Sequence, residues 1–306
     1  MDRGRTAIVV AFAAAASLVV AACSSTSEST PTANAQAGTV AAAGFGDCDV
    51  TSDPTVTEIT PVKAGVLSVV TSLPGPNFWG TTAAETDPDA IKSGIEFDMA
   101  NMLAAKCGLK MEFRNEGFDA IVAGQIDPNS YDIVLSQVTI TEDRAKVVDF
   151  STGYFKSDQG LLVKKGTAVA SWDDVKAMTI GVQASTTAEW YFTSGEVPGW
   201  TLENVKSFPD LASAYAALNA GQVDGVVIDT PINLGQASQS NGELEVVGQF
   251  KTGEEYGAIF GLGNGKKAIF DPIIQSMIDD GTVNGLIAKY LGGDPSTVPF
   301  IDIPAA

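Results

Sequence analysis

The chain has no histidine, only three cysteines, and 18 basic residues against 37 acidic ones. Without histidine there is no imidazole for a catalytic triad, for a histidine-ligated metal, or for the commonest general base. A formal charge of −19 repels phosphates and argues against nucleic acid as a partner. No catalytic group, metal or cofactor is expected. Beyond the N-terminus no apolar run approaches the roughly 20 residues that a membrane helix needs.

What is present begins with a targeting pattern. Arg3 and Arg5 precede a small, apolar run from Ala7 to Ala22 that stops at Cys23. The run is short for a membrane span and suits a signal-peptide core. Its end, Val20-Ala21-Ala22-Cys23, resembles the bacterial lipobox. Residues 1–22 are then a lipoprotein signal peptide, and Cys23 carries a lipid after cleavage. An ordinary secretory signal or a single anchor helix is the competing reading. The Ser/Thr/Ala-rich stretch that follows cannot bury enough apolar surface to fold, so residues 23–60 are expected to be a flexible, lipid-anchored tether. With Cys23 assigned to lipid, an oxidising compartment favours a Cys48–Cys107 disulfide; two buried free thiols are the alternative.

Roughly 250 residues remain, enough for two lobes with sizeable cores. They alternate short apolar β runs with helical spacing, the signature of α/β units. Val66 to Thr71, Lys110 to Arg114, Asp132 to Leu135, Leu161 to Lys164, Met178 to Gln183, Asp224 to Ile228 and Glu255 to Leu262 read as strands. Helices are expected around Ile95 to Leu103, Asp119 to Gly124, Leu211 to Leu218, Lys266 to Asp280 and Thr282 to Tyr290. Ser171 with Asp174 suggests a capped turn, and Pro231 suits the first position of a helix.

The most informative stretch runs from Asp132 to Phe155. A strand ending at Leu135 passes into a hydroxyl-rich turn and then Arg144. Strand ends of this kind are where open α/β sheets place ligands. Thr139, Thr141 and Arg144 can present hydroxyls and a bidentate guanidinium to a carboxylate. Arg144 can equally pair with Glu142 or Asp149 at the surface, which contributes little. Periodicity does not rank the two.

The pattern Thr-x-Thr-x-x-Arg followed by x-Phe-Ser-x-x-Tyr, here Thr139, Thr141, Arg144, Phe150, Ser151 and Tyr154, resembles the family 3 extracellular solute-binding proteins, the polar amino acid receptors of ABC transporters. Gly94-Ile-Glu-Phe-Asp98, Gly117-Phe-Asp-Ala-Ile121, Gly181-Val-Gln-Ala-Ser-Thr186, Asp224-Gly-Val-Val-Ile-Asp229 and Asp280-Gly-Thr282 extend the resemblance from about Val62 to Leu291. It implies a two-lobed periplasmic-binding fold of type II, each lobe a mixed sheet flanked by helices, with a two-strand hinge. Residues 61–156 with 257–306 would form lobe 1, and 157–256 lobe 2. Crossing strands are expected near Tyr154 to Gly160 and Glu254 to Gly257, where glycines absorb hinge motion.

The resemblance also implies site roles. Arg144 would grip a ligand carboxylate, with Thr139 and the backbone at Gln137. Asp229 would take the ammonium, although on local sequence it reads equally as a helix N-cap. Phe118 would cover the ligand body. Thr186 and Thr187, beyond Gln183, would add N–H donors. The loop Ser72 to Trp79 lacks the aspartate of glutamine-type members, so Ser72 and Trp79 are candidates of a different kind. Leu73, Phe78, Trp79, Phe118 and Ile228 suggest an apolar side-chain pocket, though Phe78 and Trp79 suit the core equally well. The implied function is capture of an amino acid and delivery to an ABC permease by a monomer anchored outside the cytoplasm through Cys23. A sensing lipoprotein and a dehydratase-like enzyme are the rivals.

Overall fold

The computed structural model describes Cys48 and residues 60–304. The signal-peptide, lipobox and tether readings lie outside them, apart from Cys48 and Thr60. Among the described residues no helix is long and apolar enough to cross a membrane.

The first lobe grows from β1 (Val66–Thr71), α1 (Ile95–Lys106) and β2 (Lys110–Asn115). β1 alternates little because both its faces are covered, as parallel strands between helices require. α1 ends through Cys107 and Gly108, the latter at φ 64°, a backbone that glycine adopts without steric cost. Short elements follow: α2 (Phe118–Val122), β3 (Ile133–Val134) and β4 (Val148–Phe150). With β10 (Ile259–Gly261) they complete a mixed sheet of order β2-β1-β3-β10-β4, parallel through its first three strands. Helices α7 (Lys266–Asp279) and α8 (Thr282–Tyr290) pack with α1 on this lobe. A buried ion pair, Lys266 Nζ to Asp132 at 2.9 Å, ties α7 to the start of β3.

The second lobe holds β5 (Phe155–Lys164), α3 (Trp172–Lys176), β6 (Ile180–Gln183), α4 (Thr187–Thr193) and β7 (Val205–Phe208). It continues through α5 (Leu211–Asn219), β8 (Gly225–Asp229), α6 (Thr230–Ser238) and β9 (Leu244–Tyr256). The sheet order is β7-β6-β8-β5-β9, with β7, β6 and β8 parallel and β5 antiparallel to its neighbours. Ser171 and Asp174 form the expected capping box of α3.

The two sheets make this a two-lobed α/β protein of the type II periplasmic-binding class. The chain passes between the sheets after β4 and again after β9, where the expected continuous strand from Glu255 to Leu262 is broken at Gly257. A third passage follows α8. Residues through 306 were expected in the first lobe, but the last described ones return to the second. Gln249 N–H donates to Pro299 O at 2.9 Å and Ile301 N–H to Gln249 O at 2.9 Å, while Ile301 joins the core of β5, β6 and β9. The exposed backbone of edge strand β9 is what this tail covers.

Cys48 and Cys107 form a disulfide closing a separation of 59 residues. A loop of that length stabilises the fold by about 4 kcal/mol in the chain-entropy treatment.

Candidate functional site

In each lobe the sheet order reverses beside its first parallel strand, and the site lies beyond the carboxyl ends of the strands at that point. The first lobe supplies Ser72 and Pro74 after β1, Phe118 at the start of α2, and Ser136, Gln137 and Thr139 after β3. The second supplies Gln183 at the end of β6, Thr186 and Thr187 opening α4, and Asp229 at the end of β8. Arg144, Leu211, Ile228 and Ile232 complete the wall of one cavity. It leaves about 20 Å³ free, and it shares Thr139, Arg144, Thr186 and Thr187 with a wider groove of about 1410 Å³.

Arg144 begins a short 3-10 turn whose backbone N–H is taken by Thr141 Oγ1 at 3.2 Å. That contact explains the second threonine of the Thr-x-Thr-x-x-Arg pattern. The guanidinium does not pair with Glu142 or Asp149. Its Nη1 donates to Thr139 O at 2.8 Å and its Nη2 crosses to Ser185 O of the second lobe at 2.9 Å. The Phe118 ring lies 5.7 Å from its centre, within cation–π range. Desolvation pulls Arg144 down to about 10, against the opposing pull of Glu254 and Asp229.

Asp229 occupies the N-cap position of α6, but its side chain makes no capping hydrogen bond. It is 4% exposed, and Oδ1 is a buried oxygen with no hydrogen-bond partner among the described residues. Burial, and then the nearby Glu254 carboxylate, push Asp229 up to about 7, opposed by the Tyr256 and Ser157 hydroxyls that approach the same carboxyl. An unpartnered buried acceptor is costly, and Asp229 is one of the residues that line the cavity with Arg144.

Thr139 Oγ1 donates to Glu254 Oε2 at 2.6 Å, Thr187 Oγ1 to the same oxygen at 2.8 Å, and Gln159 Nε2 to Oε1 at 2.9 Å. Glu254, read from sequence only as part of a hinge, therefore links a first-lobe threonine to a second-lobe one. Thr186 caps α4 by accepting from Glu189 N–H at 3.2 Å. Ser72 N–H donates to Ser136 Oγ at 2.9 Å.

Trp79 does not line the cavity. It is fully buried against Phe97 and Phe113, and its indole N–H donates to Glu96 and to Leu135 O. Leu73 and Phe78 are likewise core. The apolar wall comes instead from Pro74, Phe118, Leu211, Ile228 and Ile232. Leu211 and Ile232 carried no sequence signal for the site, being ordinary apolar positions of helices that only the sheet order brings to the cleft.

The description "bacterial extracellular solute-binding proteins, family 3" matches residues 83–293, and the chain belongs to that family. It is 31% identical over 210 residues to the L-cystine-binding protein TcyJ of Escherichia coli (strain K12), covering 67% of this chain and 77% of that one. Among solved structures, an ancestral arginine-binding protein bound to arginine aligns with a TM-score of 0.64 at 32% identity, over 74% of this chain and 99% of its own. An ancestral amino acid-binding protein described as a precursor of cyclohexadienyl dehydratase aligns with a TM-score of 0.63 at 28% identity, over 74% and 96%.

Proposed function

We propose that the cleft captures an amino acid by its two charged ends and hands it to an ABC permease. Arg144 grips the carboxylate with help from Thr139, the Gln137 backbone and the start of α4, while Asp229 receives the ammonium. The observation that carries this reading is that Asp229 and Arg144 line one cavity, with Asp229 Oδ1 buried and without a hydrogen-bond partner among the described residues. A zwitterion satisfies both poles at once, and each pole is strengthened by removal from water. Relatives named for cystine and arginine support the ligand class.

The space between the walls is smaller than any amino acid, so capture requires Arg144 to release Ser185 O and the lobes to part. Ligand then shifts the open–closed balance, and the closed form docks on the permease. Gln183 and Ser72 shape the polar rim, and the five apolar wall residues receive the side chain. The absence of histidine and the ammonium-facing Asp229 favour binding over dehydratase chemistry in this cleft. The protein works outside the cytoplasm as a monomer held to the membrane by lipid on Cys23; Cys23→Ala should release it from membranes, and continued lipid labelling would refute the anchor.

A thermal-shift screen of the twenty amino acids tests the central reading, because a ligand of the folded state raises its apparent stability by mass action. At least one amino acid should raise the melting temperature, and the corresponding keto acid should do so far less. No shift with any of them contradicts the proposal.

A further inference from the structure

Glu96 stands in the first turn of α1 and is 0% exposed. Its carboxylate accepts four hydrogen bonds. Oε1 takes the Gln137 backbone N–H at 2.8 Å and the Tyr154 hydroxyl; Oε2 takes the Trp79 indole N–H at 2.8 Å and the Gln137 side-chain amide. These donors come from three stretches distant in sequence: the loop after β1, the turn after β3, and the entry to crossing strand β5. Among the described residues no lysine or arginine forms an ion pair with it. Among the described residues Tyr154 is the one titratable side chain that donates to it, and burial and Glu96 itself push that phenol well up.

The surroundings are built to hold this acid in place. Gly94 adopts φ 138°, and a Cβ there would lie 2.2 Å from Phe78 O. Only glycine lets Phe78 O approach and accept the N–H groups of Glu96 and Phe97, at 3.1 and 3.2 Å, which docks the loop after β1 on the end of α1. Gln137 in turn has φ 49°, a left-handed conformation that costs a glutamine free energy unless neighbours impose it. Two of the four bonds to Glu96 come from that residue, which lines the cavity.

We infer that Glu96 is a positioning residue: it fixes the Gln137 turn against the first crossing strand at Tyr154, and so shapes the ligand-facing wall without touching ligand. The role demands an ionised acid. A carboxylate accepts from all four donors, whereas a protonated acid must donate one hydrogen, and the Tyr154 hydroxyl would have to give up its own donation to accept it. Burial, opposed by the four donors, pushes Glu96 up to about 7, so the hold on the turn weakens as the medium becomes mildly acidic.

The test follows the Trp79 indole N–H and the Gln137 amide by ¹H–¹⁵N spectroscopy of the whole mature protein from pH 5 to 9. Both resonances should move together with a midpoint near 7, and Glu96→Gln should abolish that movement. Tyr154→Phe removes a donor that favours the anion, so it should raise the midpoint; this variant decides the matter if the first does not fold. At pH 8 an equimolar mixture of the twenty amino acids should raise the melting temperature of Glu96→Gln by less than half the wild-type shift. A static Trp79 resonance, an unmoved midpoint in Tyr154→Phe, or an undiminished shift in Glu96→Gln overturns the inference. The affinity arm rests on the amino-acid reading of the cleft, whereas the titration does not. A wild-type protein that ignores the mixture would therefore defeat that reading and leave the titration to judge Glu96.

Discussion

Glu96 and Asp229 lie in opposite lobes, both out of solvent and both pushed up to about 7 chiefly by burial. Their surroundings differ. Glu96 receives four donors from its own lobe and from the crossing strand, while Asp229 keeps an oxygen with no partner among the described residues. A folded chain can lower the cost of a buried carboxylate by surrounding it with donors, as at Glu96. At Asp229 the Tyr256 and Ser157 hydroxyls approach the carboxyl, but one oxygen keeps no hydrogen-bond partner among the described residues, and on the proposed reading that donor comes from the ligand. On the same proposed reading the contrast separates an acid that organises the wall from one that meets the ligand.

The largest expected effect falls on the opposite pole. Arg144→Ala should cost roughly 3–5 kcal/mol of amino acid affinity, because it strands a desolvated carboxylate; calorimetric titration giving near-wild-type affinity would remove Arg144 from the site. Asp229→Asn comes next and sharpens the comparison. It should weaken an amino acid by about 2–3 kcal/mol, in line with a lost charge-assisted hydrogen bond, and leave the deaminated analogue nearly unaffected. Glu96→Gln should weaken both molecules alike, since it acts through the wall. If the two variants show the same ratio between amino acid and analogue, the distinction drawn between the acids fails.

A smaller effect concerns pH. Both carboxyls lie above their ordinary values of 4.5 and 3.8 in the folded chain, so each favours folding while protonated. That contribution is fully present below the ordinary values and is lost as pH rises through about 7. Stability measured by urea unfolding should therefore decline from pH 4 to pH 7 through these groups, and the decline should shrink in Asp229→Asn. Binding runs the other way. An ammonium favours ionised Asp229, so affinity should rise from pH 6 to pH 8, by at most about tenfold per pH unit for one proton. A flat affinity profile over that range would separate Asp229 from the ligand.

Much of this was legible in the residues because it is local. The capping box at Ser171 and Asp174, the stop at Gly108 and the helix starting beside Pro231 depend on neighbours within four positions. Thr139 and Arg144 could be marked because they lie in a short pattern at a strand end, where α/β sheets place ligands, whereas Asp229 was marked only through the family resemblance. What was not legible is all long-range. Trp79 suited pocket and core equally well on sequence, and its indole N–H has partners 17 and 56 positions away, which no periodicity reveals. Glu254 gave no sign of its bonds to Thr139 and Thr187, 115 and 67 positions distant. The return of residues 299–301 to β9 was equally hidden, since it depends on which sheet edge stands open after α8.

The most direct measurement is a crystal structure grown with whichever amino acid gives the largest thermal shift. Its carboxylate should lie on Arg144, with Ser185 O released, and its ammonium should stand within hydrogen-bonding distance of Asp229 Oδ1. A ligand held elsewhere, or in this cleft with its ammonium away from Asp229, would contradict the assignment.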